Sequence, residues 1–182
     1  MTTTALIIID MQRAMQGNDP GAEQATARLL HAWRAAQAPV VHVRHMSRTP
    51  GSVFWPGQPG VEFQPALVPL AHEHVMEKNV PDAFANSGLE RWLHMRGIRR
   101  VAIAGVSTNN SVESTARSAG NLGFMAWVAS DATFAYAQKD FDGVQRSAQE
   151  VHAMALSNLH GEYATVVSSE TLLALLNEGE AR

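Results

Sequence analysis

Three residues whose side chains can transfer protons or attack carbon each lie at the carboxyl end of a predicted strand. Asp10 comes directly after the apolar run 5–9. Lys78 closes a weaker candidate strand, and Ser111 follows the apolar run 101–104 across a tight loop. If these segments are parallel strands, their carboxyl ends meet at one edge of a sheet, where ligands bind in this architecture. We expect an ion pair between Asp10 and Lys78 facing Ser111, which is an arrangement suited to acid–base catalysis.

The segment 101–117 predicts a buried strand, a tight loop at Gly105 and a helix that begins near Ser111. Free backbone N–H groups and the dipole at a helix start favour negative charge, so a nucleophile would be useful there. An alternative interpretation is structural: Asn110 caps the helix, Glu113 completes a capping box, and Ser111 is only the first helical residue. The G-x-S-x-G elbow that exposes a serine nucleophile in other hydrolases is absent.

Short apolar runs alternate with longer segments of helical periodicity. We predict strands at 5–9, 40–43, 72–77, 101–104, 124–129 and 164–167, and helices at 22–37, 88–96, 111–122, 147–159 and 169–177. This alternation predicts parallel βαβ units and a doubly wound α/β sheet covered by helices on both faces. Because neither an internal repeat nor a low-complexity linker interrupts the 182 residues, we expect one domain over 1–182.

Composition excludes several classes of function. A net charge of -3 with no basic tract gives no basis for binding nucleic acid or an anionic membrane surface. With no cysteine, the chain has neither disulfides nor a cysteine nucleophile. No apolar stretch approaches the roughly 20 residues that span a bilayer, and the first residues do not resemble a signal peptide. We therefore expect a cytoplasmic protein that acts on a small molecule, without a nucleotide cofactor, since G-x-G-x-x-G and P-loop motifs are missing.

A long irregular segment, 47–65, contains three Gly and four Pro, and irregular loops of this length are often functional. Aromatic side chains there and elsewhere are candidate pocket walls, although simple packing explains them equally well: Phe54, Trp55, Phe84, Phe134 and Tyr136. Gln12 and Asn110, beside Asp10 and Ser111, are further candidates for substrate binding. Arg44 or His45 would be suited to meet a substrate carboxylate.

Six segments in order along the chain carry a family pattern: 6–12, 77–84, 88–98, 105–117, 123–124 and 130–132. They resemble the isochorismatase-like hydrolase superfamily, often called the cysteine hydrolases, which includes nicotinamidases, N-carbamoylsarcosine amidases and isochorismatases. The resemblance implies a three-layer α/β/α sandwich around a mainly parallel sheet, assembled into homodimers or larger homo-oligomers. The metal site of nicotinamidases needs an Asp-x-His pattern that this sequence lacks, so the resemblance implies neither a metal nor another cofactor.

The resemblance also assigns roles to individual residues. An Asp and a Lys of the family act with a nucleophilic Cys, and these positions fall on Asp10, Lys78 and Ser111. A cis peptide of the family corresponds to the bond between Val106 and Ser107, with backbone N–H groups near Ser107 and Ser111 as an oxyanion hole.

Serine at the cysteine position changes the expected chemistry. A thiol beside a lysine readily becomes a thiolate, whereas a hydroxyl needs a base as it attacks. Asp10 would have to be that base while its ion pair with Lys78 lowers its basicity. Because isochorismatases proper use the Asp without a covalent nucleophile, our leading hypothesis is a hydrolase of a small amide, ester or vinyl ether. In it, Asp10 and Lys78 transfer protons, and either water attacks directly or Ser111 is a slow nucleophile. The alternative is a catalytically inactive relative that binds a small ligand or a partner protein.

Overall fold

The structure, a computed structural model, describes residues 3–180 and is built around a parallel sheet. Its strands are β1 (Thr4–Ile9), β2 (Val40–His45), β3 (His74–Lys78), β4 (Arg100–Val106), β5 (Met125–Phe134), β6 (Gln138–Lys139), β7 (Gln145–Arg146) and β8 (Thr165–Val167). Six of them form one sheet in the order β3-β2-β1-β4-β5-β8, and all neighbours in it are parallel. The short strands β6 and β7 form a separate antiparallel hairpin that the sequence did not predict.

In the described part of the chain, five α-helices cover the two faces of the sheet: α1 (Pro20–Ala35), α2 (Leu89–Met95), α3 (Glu113–Asn121), α4 (Ala148–Leu159) and α5 (Ser169–Glu180). One apolar cluster joins the sheet to α2, α3 and α4, and a second joins it to α1 and α5. The predicted three-layer α/β/α sandwich around a parallel sheet is confirmed.

The central strand β1 shows why the sheet needs apolar residues without interruption. Ile7 and Ile9 pack into the cluster beneath α2, α3 and α4, whereas Leu6 and Ile8 pack into the cluster beneath α1 and α5. Successive side chains of a strand point to opposite faces, and here both faces are covered. The first polar side chain after β1 is Asp10, which is thus fixed at the edge of the sheet by a rigid strand.

Gly105 lets β4 approach β1 closely just before the site. Its φ is +126°, and a Cβ atom built there would lie 2.0 Å from the carbonyl oxygen of Ile9. Glycine tolerates this conformation and leaves room for the neighbouring backbone. Between Ile103 and Gly105 the pairing of β4 with β5 shifts in register, and β5 continues to Phe134, five residues beyond its predicted end at position 129.

Candidate active site

The carboxyl ends of three neighbouring strands bring polar side chains together. Asp10 directly follows β1, His45 ends β2 and Lys78 ends β3. Ser111 lies in a π-helical turn, Thr108–Val112, that connects β4 to α3. The structure therefore brings together the three residues selected from the sequence and adds a histidine to them.

Lys78 is the centre of this group. Its Nζ donates a hydrogen bond to Oδ2 of Asp10 at 2.6 Å and another to Oγ of Ser111 at 3.2 Å, and it lies 3.4 Å from Nδ1 of His45. The side chain of Lys78 is 1% exposed and that of Asp10 is 8% exposed. An ammonium group has three hydrogens to donate, so these three neighbours account for all of them.

Asp10 is held in a backbone conformation that is unusual for a residue other than glycine, with φ at +54°. Its N–H donates to the carbonyl oxygen of Val43, and its own carbonyl oxygen accepts from the N–H of Gln12. Burial raises the pKa of the Asp10 carboxyl above its ordinary value, and the neighbouring Lys78 and Ser111 offset this only in part. The sequence had suggested that the ion pair lowers the basicity of Asp10; in the structure the effect of burial on its pKa is larger.

One oxygen of this carboxylate is free within the described part of the chain. Oδ2 of Asp10 is occupied by Lys78, but the buried Oδ1 has no hydrogen-bond partner among residues 3–180. A buried oxygen without a partner is costly, and in native structures such atoms call for an explanation. An incoming water or substrate group would satisfy it.

Ser111 precedes the α-helix instead of starting it, because α3 begins at Glu113. The N-cap position is taken by Val112, and no side chain caps this helix. Glu113 instead forms an ion pair with Arg117 at 2.7 Å. The capping-box interpretation, with Asn110 as the N-cap, was therefore wrong, and so was the predicted helix start at Ser111.

The backbone around Ser107 forms the other side of the group. The peptide bond between Val106 and Ser107 is cis. The N–H groups of Asn110 and Val112 both donate to the carbonyl oxygen of Ser107 at 3.1 Å, which fixes the turn that carries Ser111.

A cavity of about 170 Å³ opens above these groups. Its lining combines the polar cluster with apolar walls: Asp10, Met15, His45, Phe54, Pro81, Val106, Ser107, Asn110, Ser111 and Tyr136. The hydroxyl of Tyr136 contacts Sδ of Met15 at 3.0 Å, and the ring of Phe54 meets that of His45 edge-on at 5.7 Å. Sequence patterns did not single out Met15 or Pro81, although both lie a few residues after strands that carry the site.

Comparison with known proteins identifies the family to which this fold belongs. The family model described as the isochorismatase domain matches residues 4–171, nearly the whole chain. The chain belongs to the isochorismatase family. Members of this family of hydrolases are generally enzymes.

Three relatives illustrate the likeness. The crystal structure of an isochorismatase-family protein from Chromobacterium violaceum superimposes with a TM-score of 0.92 at 46% identity, covering 97% of this chain and 94% of the other. The uncharacterized isochorismatase family protein YrdC of Bacillus subtilis is 33% identical over 175 residues, 93% of this chain and 94% of its own length. Streptothricin hydrolase of Streptomyces noursei is 34% identical over 138 residues, 72% of this chain and 50% of that protein.

Two polar candidates of this isochorismatase-family chain lie outside the cavity. The fully buried amide of Gln12 accepts from the N–H of His45 at 2.8 Å and donates to the carbonyl oxygens of His45 and Val61 at 3.1 and 3.0 Å. It ties β2 to the long loop, and since both its N–H groups are used and it is fully buried, it is a structural side chain instead of a substrate ligand. Arg44 is paired with Glu77 and lies over an aromatic ring, so it does not reach a substrate carboxylate in the cavity.

Three aromatic candidates also lie elsewhere. Phe84 packs against Phe124 at 5.7 Å between ring centroids, in the core beneath α2 and α3. Phe134 is 4% exposed and belongs to the opposite core, and it borders a different cavity near α1. Trp55 is half-buried in the loop but does not line the site. Of the five aromatic walls predicted, only Phe54 and Tyr136 border the cavity.

The described residues contain no group of three or more His, Asp or Glu side chains arranged to hold a metal ion. Within the same part of the chain, 3–180, every helix is too short or too polar to cross a membrane.

Proposed function

We propose that this chain is a small-molecule hydrolase in which Asp10 is the general base and acid and Lys78 holds it in place. The observation that carries the proposal is the free buried oxygen of Asp10, at the floor of a cavity, beside an ammonium group 2.6 Å from its other oxygen. Burial raises the pKa of Asp10 and so makes its carboxylate a stronger base, which suits proton transfer near neutral pH.

The proposed steps, for an amide or ester, balance with water alone. The Asp10 carboxylate removes a proton from a water molecule, and the oxygen of that water attacks the substrate carbonyl carbon. The bond from that carbon to the leaving nitrogen or oxygen then breaks, and the Asp10 carboxylic acid returns the proton to the leaving group. Ser107 and Ser111 border the cavity, and their backbone N–H groups are the proposed donors to the oxyanion.

Ser111 stands where the family resemblance places a nucleophilic cysteine. Its oxygen already accepts a hydrogen bond from Lys78, and its hydroxyl lacks the acidity of a thiol. We therefore propose that Ser111 positions the attacking water, or attacks slowly itself with Asp10 taking its proton.

The size of the site and the relatives support a small substrate. A cavity of about 170 Å³ accepts a group about the size of a benzene ring, and its walls of Phe54 and Tyr136 favour an apolar one. One similar protein, the streptothricin hydrolase of Streptomyces noursei, is named for a hydrolytic activity. A panel of compounds decides whether the bond that is broken belongs to an amide, an ester or a vinyl ether.

The test compares three variants on p-nitrophenyl acetate, benzamide and an aryl vinyl ether. We expect Asp10→Asn to lower kcat/KM at least about 100-fold, the usual scale of general acid–base catalysis, and Ser111→Ala to lower it by less than about tenfold. Arg44→Met, beside the site but paired with Glu77, is the control and should leave activity unchanged. Complete loss in Ser111→Ala, with an acyl adduct trapped on Ser111 in the parent, would establish a serine nucleophile instead.

Ser111→Cys separates an enzyme from an inactive relative. Gain of amidase activity would show that Asp10, Lys78 and the backbone donors are competent. No hydrolysis by the parent or by Ser111→Cys on all three compounds would favour the alternative, a protein that binds a ligand without turning it over.

Self-association and location in the cell stay predictions. The homodimer or larger homo-oligomer expected from the resemblance is tested by light scattering coupled to size-exclusion chromatography. The cytoplasmic location is tested by fractionation of the source cells.

A further inference from the structure

His45 is fixed at the cavity by its neighbours. It ends β2, and the amide of Gln12 binds both its N–H and its carbonyl oxygen. Because Gln12 is fully buried, these bonds hold the backbone of His45 in one place. The ring of Phe54 packs edge-on against the imidazole and limits its rotation.

The contact with Lys78 favours one of the two neutral forms of the His45 ring. Nδ1 of His45 lies 3.4 Å from Nζ of Lys78, a long hydrogen-bonding distance. An ammonium group only donates, so Nδ1 has to be the acceptor. A neutral imidazole that accepts through Nδ1 carries its proton on Nε2.

Burial and charge around the ring favour its neutral form. Partial burial lowers the pKa of His45 below its ordinary value, and the positive charge of Lys78 lowers it further, while Asp10 raises it less. Besides Asp10, the described lining of the cavity contains Tyr136, and burial raises the pKa of its hydroxyl above the ordinary value, so it is uncharged at neutral pH.

The second nitrogen of the ring is uncommitted. Among residues 3–180 no group forms a hydrogen bond with Nε2 of His45, and this atom is not among the buried polar atoms left without a partner. It is therefore accessible, in a residue that lines the cavity.

We propose that His45 contacts the substrate, with Nε2–H donating a hydrogen bond to an acceptor oxygen of the substrate while Nδ1 remains on Lys78. The inference rests on the proposed function and adds a fourth side chain to its site. A neutral donor suits a carbonyl or hydroxyl oxygen, so the substrate carries such an oxygen on the side of the cavity formed by the end of β2.

Two amide substitutions of His45 test the roles of its two ring nitrogens separately. Asn places an oxygen near the position of Nδ1 and keeps an acceptor for Lys78, but it offers no donor at the position of Nε2. Gln places an amide NH₂ near the position of Nε2 and keeps the donor for the substrate. The probe is isobutyramide, a small neutral amide that fits the cavity and whose binding can be measured without turnover.

We expect the parent and His45→Gln to bind isobutyramide with dissociation constants within about threefold of each other, and His45→Asn to bind about tenfold more weakly, the scale of one neutral hydrogen bond. Equal weakening in both variants, or no binding by the parent, would overturn the substrate contact. Thermal unfolding midpoints of all three proteins show that a difference in binding is not a difference in folding.

A second measurement needs no ligand. Long-range ¹H–¹⁵N correlation spectra of the parent should show His45 as the Nε2–H tautomer at pH 7.5, titrating below pH 6.5. Lys78→Met should move this titration to higher pH, because a positive charge beside the ring is removed. An Nδ1–H tautomer or a charged ring at pH 7.5 would contradict the inference. Binding of isobutyramide that depends on His45, without hydrolysis of any compound, would leave this inference standing and refute the proposed function.

Discussion

Replacing Lys78 by Met tests whether the ion pair is a buried and costly element of the site. Methionine keeps much of the unbranched stem of lysine but removes the charge. Asp10 would then remain as a buried carboxylate, with a side chain that is 8% exposed and without its ion-pair partner. We expect the folded state to be substantially destabilised.

The magnitude follows from burial. Removing one partner of a buried ion pair costs about 3–5 kcal/mol, because the other charge stays buried without compensation. In a protein of this size 1 kcal/mol corresponds to about 2–4 °C in the unfolding midpoint, so Lys78→Met should lower Tm by about 6–20 °C at neutral pH. Arg44→Met removes a more exposed ion pair with Glu77 and should cost less than about 1 kcal/mol.

The stability lost in Lys78→Met should depend on pH. The pKa of Asp10 in the folded state is raised above the unfolded value of about 3.8. Protonation of Asp10 therefore favours the folded state, and this contribution is fully present below pH 3.8 and lost as pH rises through the folded pKa. Without Lys78 that folded pKa rises further, so the loss extends to higher pH. Lys78→Met should therefore be destabilised more at pH 8 than at pH 5.

Urea unfolding of the parent, Lys78→Met and Arg44→Met at pH 5 and pH 8 measures these differences. Adding Asp10→Asn to Lys78→Met removes the stranded charge, and asparagine also tolerates the positive φ at this position, so the double variant should be more stable than Lys78→Met at pH 8. A Lys78→Met protein with the stability of the parent, or with equal destabilisation at both pH values, would refute the reasoning.

Two further predictions concern catalysis and folding. The acidic limb of the kcat/KM profile should lie above pH 3.8, because the proposed base is Asp10 and its pKa is raised. In Lys78→Met, any residual activity should show this limb at higher pH. The measurement is the pH dependence of hydrolysis of the best compound of the panel. Gly105→Ala should destabilise the fold by about 3–5 kcal/mol in urea unfolding, since its Cβ would lie 2.0 Å from the oxygen of Ile9 and its φ is +126°. Gly123→Ala is the control: its φ is +81° and a Cβ there would meet nothing within 4 Å, so it should cost only about 1–2 kcal/mol.

The layers of the fold could be predicted from local patterns because each strand and helix of the main sheet leaves its own periodicity in the sequence. Apolar runs such as 5–9 alternate with helical segments such as 22–37, and both correspond to observed elements. The hairpin of β6 and β7 escaped prediction because each strand has two exposed residues and no apolar alternation. The extension of β5 to Phe134 escaped because it depends on a shift in pairing with β4, which only the assembled sheet defines.

The sequence predicted which side chains lie together where position along a strand was decisive, and it failed where the path of the chain was decisive. Asp10 and Lys78 follow strands, so parallel pairing alone brings them to one edge. Gln12 looked like a substrate ligand because it is polar and close to Asp10, yet its partners His45 and Val61 are 33 and 49 residues away. No local pattern reports such contacts. His45 was considered only for binding a carboxylate, since its contact with Lys78 depends on strand pairing.

The hydrogen bonds of Lys78 and the oxygen of Asp10 left unpaired among the described residues support attack by water over attack by Ser111. Lys78 shares one ammonium among Asp10, Ser111 and His45, so the oxygen of Ser111 already gives a lone pair to a positive charge and is a weakened nucleophile. Oδ1 of Asp10, in contrast, has no partner among residues 3–180, and a water bound there would meet a carboxylate whose raised pKa makes it the stronger base. A thiol at position 111 would reverse this balance, because a nearby ammonium stabilises a thiolate without abolishing its nucleophilicity. The contrast between Ser111→Ala and Ser111→Cys is therefore a direct measure of whether Asp10 or residue 111 carries the reaction.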